Sequence, residues 1–304
     1  MAEKKKKNPW VSLAIIFAFA IFFGLLFVSC LSNSGEINID GNVALIDLNG
    51  EIMSDGGGSF LSSGASANEI IGFIHDADKN PQVKAILLRI NSPGGTPVAS
   101  EEIAYAVKNS SKPVVALIRD QGTSGAYWVA SAADGIVASP ISITGSIGVL
   151  GSSLEFSGFM QKYGIGYERL IAGEFKDAGI PFRNLTQVER EMLQVRLNLI
   201  HQYFIKSVAE NRHLSYEQTA ELANGMFYTG EQAKDLGLVD VLGGVDEAKE
   251  MIKQKANLKE ASFIEYRRPR SFLDVFGSVI SNAGFSIGQG FGKEVVDSQF
   301  SIRT

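Results

Sequence analysis

The chain has 304 residues, of which 45% are hydrophobic and 20% are charged, and it carries a formal net charge of −5. This composition excludes a largely disordered chain, and the length is sufficient for a large domain with a substantial core. The single cysteine excludes an internal disulfide and any cysteine-rich zinc or iron–sulfur site. The charge is unevenly distributed, because residues 1–34 have a net charge of +3 and the remaining residues have a net charge of −8. An acidic main domain argues against a general nucleic-acid-binding protein.

The N-terminal charge precedes an uncharged apolar segment, residues 9–31. Its 23 residues would form a helix about 35 Å long, which is enough to cross the hydrocarbon core of a bilayer. Residues 4–7 are lysines, which favour a cytoplasmic N-terminus. We therefore predict a cytoplasmic tip at residues 1–8, a single membrane-spanning helix, a linker at residues 32–42 and a domain on the outer side of the membrane. Two alternatives stay open, namely a cleaved signal peptide and a lipoprotein signal in which Cys30 is lipidated.

The region after residue 42 alternates short apolar runs with helical patterns. Strands are predicted at residues 43–48, 84–90 and 113–118, and helices at residues 66–79, 100–109 and 124–133. A Ser/Thr-x-x-Glu capping box opens the first of these helices and recurs at residues 186–189. The βαβ spacing of this pattern predicts a parallel sheet and an α/β fold.

The helix that begins after residue 186 has an apolar stripe on one side. Its members recur at helical spacing and indicate a face that packs on the core or on another subunit: Val188, Met192, Val195, Leu199, Tyr203 and Val208. None of the three histidines, His75, His201 and His213, adjoins a glycine loop or a candidate nucleophile in sequence. We therefore interpret all three as solvated side chains, and the sequence has no HExxH-type metal motif.

Two glycine-containing loops lie between a predicted strand and a predicted helix. Residues 91–95 allow the backbone to approach a ligand closely and to turn an N–H group toward it. Residues 122–125 place Ser124 at the start of a helix, where free N–H groups favour a developing negative charge. Neither loop matches a nucleotide-binding pattern. The spacing alone is equally compatible with two tight turns in which Ser124 is an ordinary N-cap residue.

Five segments occur in the order in which a known family has them. They are NSPGG (91–95), TSGAYW (123–128), TGSIGV (144–149), AGEFKD (172–177) and FYTGEQAKDLGLVDVLGG (227–244). On these segments the sequence resembles the signal peptide peptidase A type of membrane-bound serine protease, in its short, single-domain form. The resemblance covers residues 43–257 and implies the Clp protease/crotonase-like fold of repeated ββα units, preceded by one N-terminal transmembrane helix. The protease domain would then span residues 43–266 and be followed by a tail at 267–304.

The resemblance also implies the site residues. Ser124 would be the nucleophile and Lys176 the general base, and Ser146 would hydrogen-bond the lysine and orient it. The oxyanion hole would be formed by backbone N–H groups of Gly125, Gly94 and, preferentially, Gly95.

A lysine that acts as a base must be neutral, whereas its ordinary pKa is about 10.4. Bringing that pKa to about 7 means destabilising the ammonium by roughly 4–5 kcal/mol, which burial can do. Because a nearby carboxylate would oppose this change, we predict that Glu174 and Asp177 point away from the Lys176 amine. Without the resemblance, Lys176 would be interpreted as an exposed loop lysine.

The expected activity is that of a membrane-tethered serine endopeptidase that needs no cofactor or metal. It would cleave short hydrophobic peptides, especially signal peptides left in the membrane after their release. The resemblance further implies a ring-like homo-oligomer in which neighbouring subunits contribute to one site. Two alternatives stay open: a crotonase-like enzyme acting on acyl-CoA, and an inactive homologue serving as a membrane scaffold. The tail has arginines followed by apolar residues, so it is either a membrane-surface segment or a flexible end or subunit contact.

Overall fold

A mainly parallel β-sheet organises the structure, a computed structural model that describes Trp10, Phe17 and residues 41–55 and 64–267. Six strands form its main path, in the order β10 (Phe263–Tyr266), β1 (Val43–Asn49), β4 (Ala85–Ser92), β5 (Val114–Thr123), β6 (Gly135–Ala138) and β9 (Val241–Leu242). Each neighbouring pair on this path is parallel. The strand β7 (Ile143–Gly145) pairs in parallel with the end of β5 and antiparallel with β8 (Phe227–Thr229). A separate parallel ladder joins β2 (Ile52–Met53) to β3 (Ala65–Ser66).

Eight helices lie within residues 64–267. They are α1 (Ala67–Lys79), α2 (Pro97–Lys108), α3 (Gly125–Ser131), α4 (Ser157–Lys162), α5 (Gln187–Arg212), α6 (Tyr216–Leu222), α7 (Gly230–Asp235) and α8 (Val245–Ala256). The helices α1 and α5 begin at the predicted capping boxes, with Ser66 and Thr186 each accepting a backbone N–H from the residue three positions on. The helix α2 begins three residues earlier than predicted, because Pro97 suits the first turn of a helix.

Helices cover both faces of the sheet, because each strand sends alternate side chains to opposite sides. In β1, Ala44, Ile46 and Leu48 contribute to the core that includes residues of α1, α2 and α3. The intervening Val43 and Leu45 contribute to a second core, which includes Ala248 and Ile252 of α8. The architecture is therefore α/β with a mainly parallel sheet, as the alternation of apolar runs and helical patterns predicts.

The chain divides into two compact units, residues 1–40 and 41–304. Most of the predicted transmembrane segment 9–31 lies outside the described residues, as do Cys30 and the tail from residue 268. Among the residues that the structure describes, none of the helices combines the length and the apolar character needed to cross a membrane.

The apolar stripe of α5 does not pack on the core of the single chain as a whole. Val188, Val195, Leu199 and Tyr203 are between 54% and 60% exposed, whereas Val208 is buried. The helix has 26 residues, a length of about 39 Å, and its buried apolar side chains lie only near its C-terminal end, at Phe204, Ile205, Val208 and Ala209. The core-facing interpretation of the stripe is therefore wrong for most of its length, and the subunit-facing alternative stays open.

Candidate active site

Ser124 lies on a strained turn between β5 and α3. Its backbone has φ 54° and ψ −126°, a left-handed conformation that residues with a side chain rarely adopt. The turn is held from both sides, because the Ser124 N–H donates to Gly145 O at 2.8 Å and the Trp128 N–H donates to Ser124 O at 3.0 Å. The Ser124 side chain makes no capping hydrogen bond, so the ordinary N-cap alternative does not apply. A serine on a sharp strand-to-helix turn is the arrangement that presents a nucleophile in several hydrolases.

The Gly94–Gly95 segment is fixed against β2. The Ile52 N–H donates to Gly94 O at 2.8 Å, and the Thr96 N–H donates to Ile52 O at 2.9 Å. A Cβ atom at Gly95 would lie 1.9 Å from Ile52 O, so only glycine fits there. Gly94 has φ 98° and donates its N–H to the buried Ser92 Oγ at 3.1 Å. The N–H of Gly94 is thus already committed within the loop.

The N–H groups of Gly95 and Gly125 remain available. Neither has an acceptor among the described residues, because Gly95 lies outside the hydrogen bonds of the Ile52 ladder and Gly125 is the first residue of α3. The two backbones are close, since a Cβ atom at Gly125 would lie 3.3 Å from the Gly95 nitrogen. These geometries support Gly95 and Gly125, rather than Gly94, as a pair of donors for a developing oxyanion.

Ser146 lies at the end of β7, on the same cavity as Ser124. Its φ is 51°, its N–H donates to Met226 O at 3.0 Å, and its Oγ donates to Gly225 O at 3.1 Å. Because its one hydroxyl proton is used in this way, Ser146 Oγ can only accept a further hydrogen bond. This suits a residue that orients an amine donor.

The cavity that contains Ser124 has a volume of about 720 Å³. One of its walls is a face of α5 that projects side chains at helical spacing, namely Gln194, Leu197, Asn198, His201 and Phe204. Trp128, stacked on Phe204 with ring centroids 4.4 Å apart, continues this wall. The α5 wall therefore presents apolar and polar side chains toward the serine, and Glu51 also lines the cavity.

His201 corrects one sequence-based interpretation. His75 and His213 are exposed, in agreement with the prediction of solvated side chains. The ring of His201 is instead half-buried, lines the cavity of Ser124 and places Nε2 3.3 Å from Ile147 O. The sequence holds a signal for this position, because residues 194, 197, 198, 201 and 204 share a helix face opposite the apolar stripe.

Lys176 does not line this cavity in the single chain. It lies in a turn closed by the bond from its N–H to Gly173 O at 3.1 Å, and its side chain is exposed. As predicted, the Asp177 carboxylate is turned to other partners, the guanidinium groups of Arg169 and Arg183. These two arginines hold the pKa of Asp177 well below its usual range. Within the described residues, Ser124, Ser146, Gly95 and Gly125 thus line one cavity, and Lys176 does not line it.

Comparison with known proteins assigns the family. The model of peptidase family S49 matches residues 106–259, a range that contains Ser124, Ser146 and Lys176. The chain belongs to peptidase family S49. Family S49 membership supports a peptidase and speaks against the acyl-CoA alternative. Within the described residues of this S49 chain, no group of three or more His, Cys, Asp or Glu side chains is arranged to hold a metal ion.

Relatives of the S49 chain extend the likeness over nearly its whole length. A protein of Methanocaldococcus jannaschii, provisionally named as a protease, is 38% identical over 297 residues, which cover 94% of each chain. The chloroplastic serine protease SPPA of Arabidopsis thaliana is 31% identical over 81% of this chain and 37% of its own. A protein of Enterococcus faecium, provisionally named signal peptide peptidase SppA, is 31% identical over 74% of this chain and 67% of its own. These names support a protease of the serine type.

Proposed function

We propose that the protein is a membrane-tethered serine endopeptidase that cleaves short hydrophobic peptides, above all signal peptides left in the membrane, through a Ser124–Lys176 dyad. One observation carries the proposal. In a member of a peptidase family, Ser124 lies on a strained turn beside the N–H groups of Gly95 and Gly125, neither of which has an acceptor in the part of the chain that the structure describes. The resemblance to the signal peptide peptidase A type contributes the role of Lys176.

The proposed reaction proceeds through an acyl-enzyme. Ser124 Oγ attacks the scissile carbonyl carbon while its proton passes to the neutral Lys176 amine, and the carbonyl oxygen becomes an oxyanion. The N–H groups of Gly95 and Gly125 stabilise that oxyanion, each by about 2.7–4 kcal/mol in the transition state. The lysine ammonium then protonates the departing amine of the peptide. In the second half, Lys176 takes a proton from water, the hydroxide attacks the ester, and Ser124 recovers its proton.

Oligomerisation supplies the environment that Lys176 needs in this proposal. The amine is exposed in the single chain, where water stabilises the ammonium and opposes a base role. A second copy would bury it and place it beside the cavity of Ser124 and Ser146. Exposed apolar side chains on the segment around Lys176 and on the α5 stripe support such an interface: Leu150, Leu154, Phe159, Leu170, Val195 and Leu199.

The cavity walls support a hydrophobic peptide as substrate. Trp128, Leu197 and Phe204 line the space beside Ser124 and would cover an apolar side chain next to the scissile bond. The name of the Enterococcus faecium relative specifies signal peptides, which are apolar and remain close to the bilayer. Residues 9–31, with lysines at 4–7, would hold the catalytic domain at the outer surface of the same membrane.

The dyad is tested with purified full-length protein in detergent and an internally quenched hydrophobic peptide. Ser124→Ala and Lys176→Ala should each lose at least 10³-fold in kcat, whereas the exposed controls Ser153→Ala and Lys162→Ala should keep wild-type kcat. A fluorophosphonate should label Ser124 in the wild type only. Full activity of a folded Ser124→Ala or Lys176→Ala protein would overturn the dyad, and an unlabelled, inactive wild type would favour the scaffold alternative.

The contribution of two subunits to one site has its own test. If the serine and the lysine of one site come from different copies, mixing inactive Ser124→Ala and Lys176→Ala proteins should restore activity after subunit exchange. At some interfaces of the mixed oligomer, Ser124 of a Lys176→Ala copy then lies beside Lys176 of a Ser124→Ala copy. No recovery after verified exchange would contradict the shared site while leaving the dyad itself intact.

A further inference from the structure

An ion-pair network surrounds the residue next to Lys176. Arg183 donates to the Asp177 carboxylate through Nε and Nη2 at 3.0 and 2.8 Å, and to the Glu189 carboxylate through Nη1 and Nη2 at 2.8 and 2.5 Å. Arg169 adds two further bonds to Asp177, from Nε at 2.7 Å and Nη2 at 2.8 Å. The two oxygens of Asp177 therefore each accept two charge-assisted hydrogen bonds, which uses the full acceptor capacity of a carboxylate.

The network is shielded from water on the carboxylate side. The side chains of Asp177 and Glu189 are 8% and 3% exposed, and that of Arg183 is 20% exposed. Hydrogen bonds from Arg183 and from the Thr186 backbone lower the pKa of Glu189 to about 2. Both carboxylates are thus ionised at neutral pH, and two arginines balance two acids.

The same network connects the Lys176 turn to the start of α5. Glu189 closes the capping box of α5 by accepting the Thr186 N–H at 2.9 Å. Arg183 bridges that carboxylate to Asp177, and Arg169 also donates to Glu174 O at 3.4 Å. Arginines therefore bind the chain on both sides of Lys176, at the Glu174 carbonyl and at the Asp177 side chain, while the lysine side chain takes no part in the network.

We propose that Arg169 and Arg183 are positioning residues for Lys176, which keep the adjacent Asp177 carboxylate from pairing with the lysine amine and fix the turn that carries it. The inference rests on the proposed function, in which Lys176 must be neutral to act as a base. A free carboxylate beside it would stabilise the ammonium and withdraw it from catalysis at neutral pH.

Other charged groups define the surroundings of the lysine. On its own segment they are Arg169, Glu174, Asp177 and Arg183, and on α5 there is Glu189. The cavity that Lys176 would approach in an oligomer contributes Glu51 and His201. Replacing either arginine removes two of the four hydrogen bonds on Asp177 and leaves two carboxylates balanced by one arginine, so negative charge beside Lys176 is no longer compensated. Substituting any other of these groups leaves all four bonds on Asp177 in place.

The test is the pH dependence of kcat/KM for the hydrophobic reporter peptide, measured on full-length protein. Its acidic limb reports the base of the free enzyme. In Arg169→Gln we expect the midpoint of this limb to rise by roughly one pH unit, with about tenfold lower kcat/KM below it. Adding Asp177→Asn to that variant should return the midpoint to the wild-type value. The control Arg190→Gln, at an exposed arginine of α5, should not move it.

Arg169→Gln is the decisive variant because, among the described residues, the Arg169 side chain donates only to the Asp177 carboxylate and the Glu174 carbonyl, and it is 40% exposed. Arg183→Gln should shift the limb further but also leaves Glu189 buried without its partner, so its folding is checked by thermal melting. A folded Arg169→Gln protein with an unshifted limb, in an enzyme that depends on Ser124 and Lys176, overturns this inference alone. Wild-type protein whose activity does not depend on Lys176 overturns the proposed function together with it.

Discussion

Gly125 offers the most direct test of the proposed oxyanion pair. A Cβ atom at this position would lie 2.1 Å from Ser100 Oγ and 2.9 Å from Ser100 Cβ, whereas ordinary contact begins at 3.4 Å. Ser100 Oγ is held in place by its bond to Thr96 O at 2.9 Å, and the approach to Ser100 Cβ persists in every rotamer. We therefore expect Gly125→Ala to move the start of α3 away from α2 by up to about 1 Å. Displacing a catalytic group by that distance lowers rates about 10²-fold, and losing an oxyanion donor costs 10²–10³-fold. We expect kcat to fall in that range, with a smaller change in KM.

The clash can be removed without touching Ser124. Ser100→Gly deletes both atoms that a Gly125→Ala methyl would meet, leaving the Gly95 nitrogen at 3.3 Å. The double variant should recover most of kcat, although a glycine within α2 costs roughly 1 kcal/mol of folding free energy. If the double variant recovers kcat without being more stable than wild type, the rate loss in Gly125→Ala comes from altered active-site geometry and not from general destabilisation.

The assay combines active-site titration by a fluorophosphonate, kcat and KM for the reporter peptide, and urea unfolding. Gly72→Ala in α1 serves as the matched control, because a Cβ atom there meets nothing within 4 Å. It should keep wild-type kcat and gain about 0.5–1 kcal/mol in stability. The oxyanion assignment would be refuted by folded Gly125→Ala protein with wild-type kcat, or by a double variant that recovers none of the lost rate.

His201, Glu189 and the exposed α5 stripe can each be tested separately. His201→Leu should lower kcat about three- to tenfold through loss of the bond to Ile147 O. His201→Gln keeps a side-chain donor and should lose less. Equal rates for the two variants would contradict this role of the bond. Because the pKa of Glu189 is about 2 and its unfolded value is about 4.3, its stabilising contribution is present above pH 4.3 and is lost as the pH falls toward 2. Thermal melts should show this loss in wild type and a shallower acid dependence in Glu189→Gln. Leu199→Glu, on the exposed α5 stripe, should shift the protein to smaller species in sedimentation velocity without lowering the melting temperature, and an unchanged oligomer would exclude this face from the interface.

Local sequence signals predicted three of the ten strands and four of the eight helices within the described residues, including the longest strand and the longest helix. The apolar run at residues 43–48 became β1, and the capping boxes at residues 66–69 and 186–189 became the starts of α1 and α5. Such signals are reliable because a cap or a short buried strand depends mainly on neighbouring residues. The two glycine loops were also visible in sequence, since few other residues tolerate a backbone contact such as the one between Gly95 and Ile52.

Side-chain environments on α5 were predicted less well. The apolar stripe through Val195 and Leu199 satisfies the helical periodicity of a buried face, yet it is exposed in the single chain. His201, interpreted as solvated, lines the cavity of Ser124. Periodicity shows that a helix has two faces but not which neighbours each face meets, and α5 buries apolar side chains only near its C-terminal end.

The sequence by itself determined three strands and three helices between residues 43 and 133, the helix that begins after residue 186 and the glycines that allow close backbone contacts. Its resemblance to a known family indicated Ser124 as the candidate nucleophile. Only the tertiary structure decided that the Gly94 N–H is committed to Ser92, that Gly95 and Gly125 hold the available donors, and that Asp177 is bound by two arginines. The physical reason is that propensities, caps and glycine conformations are local properties of the chain. Which polar groups find partners depends instead on contacts between residues distant in sequence, and for Lys176 the proposed partners belong to a second copy of the chain.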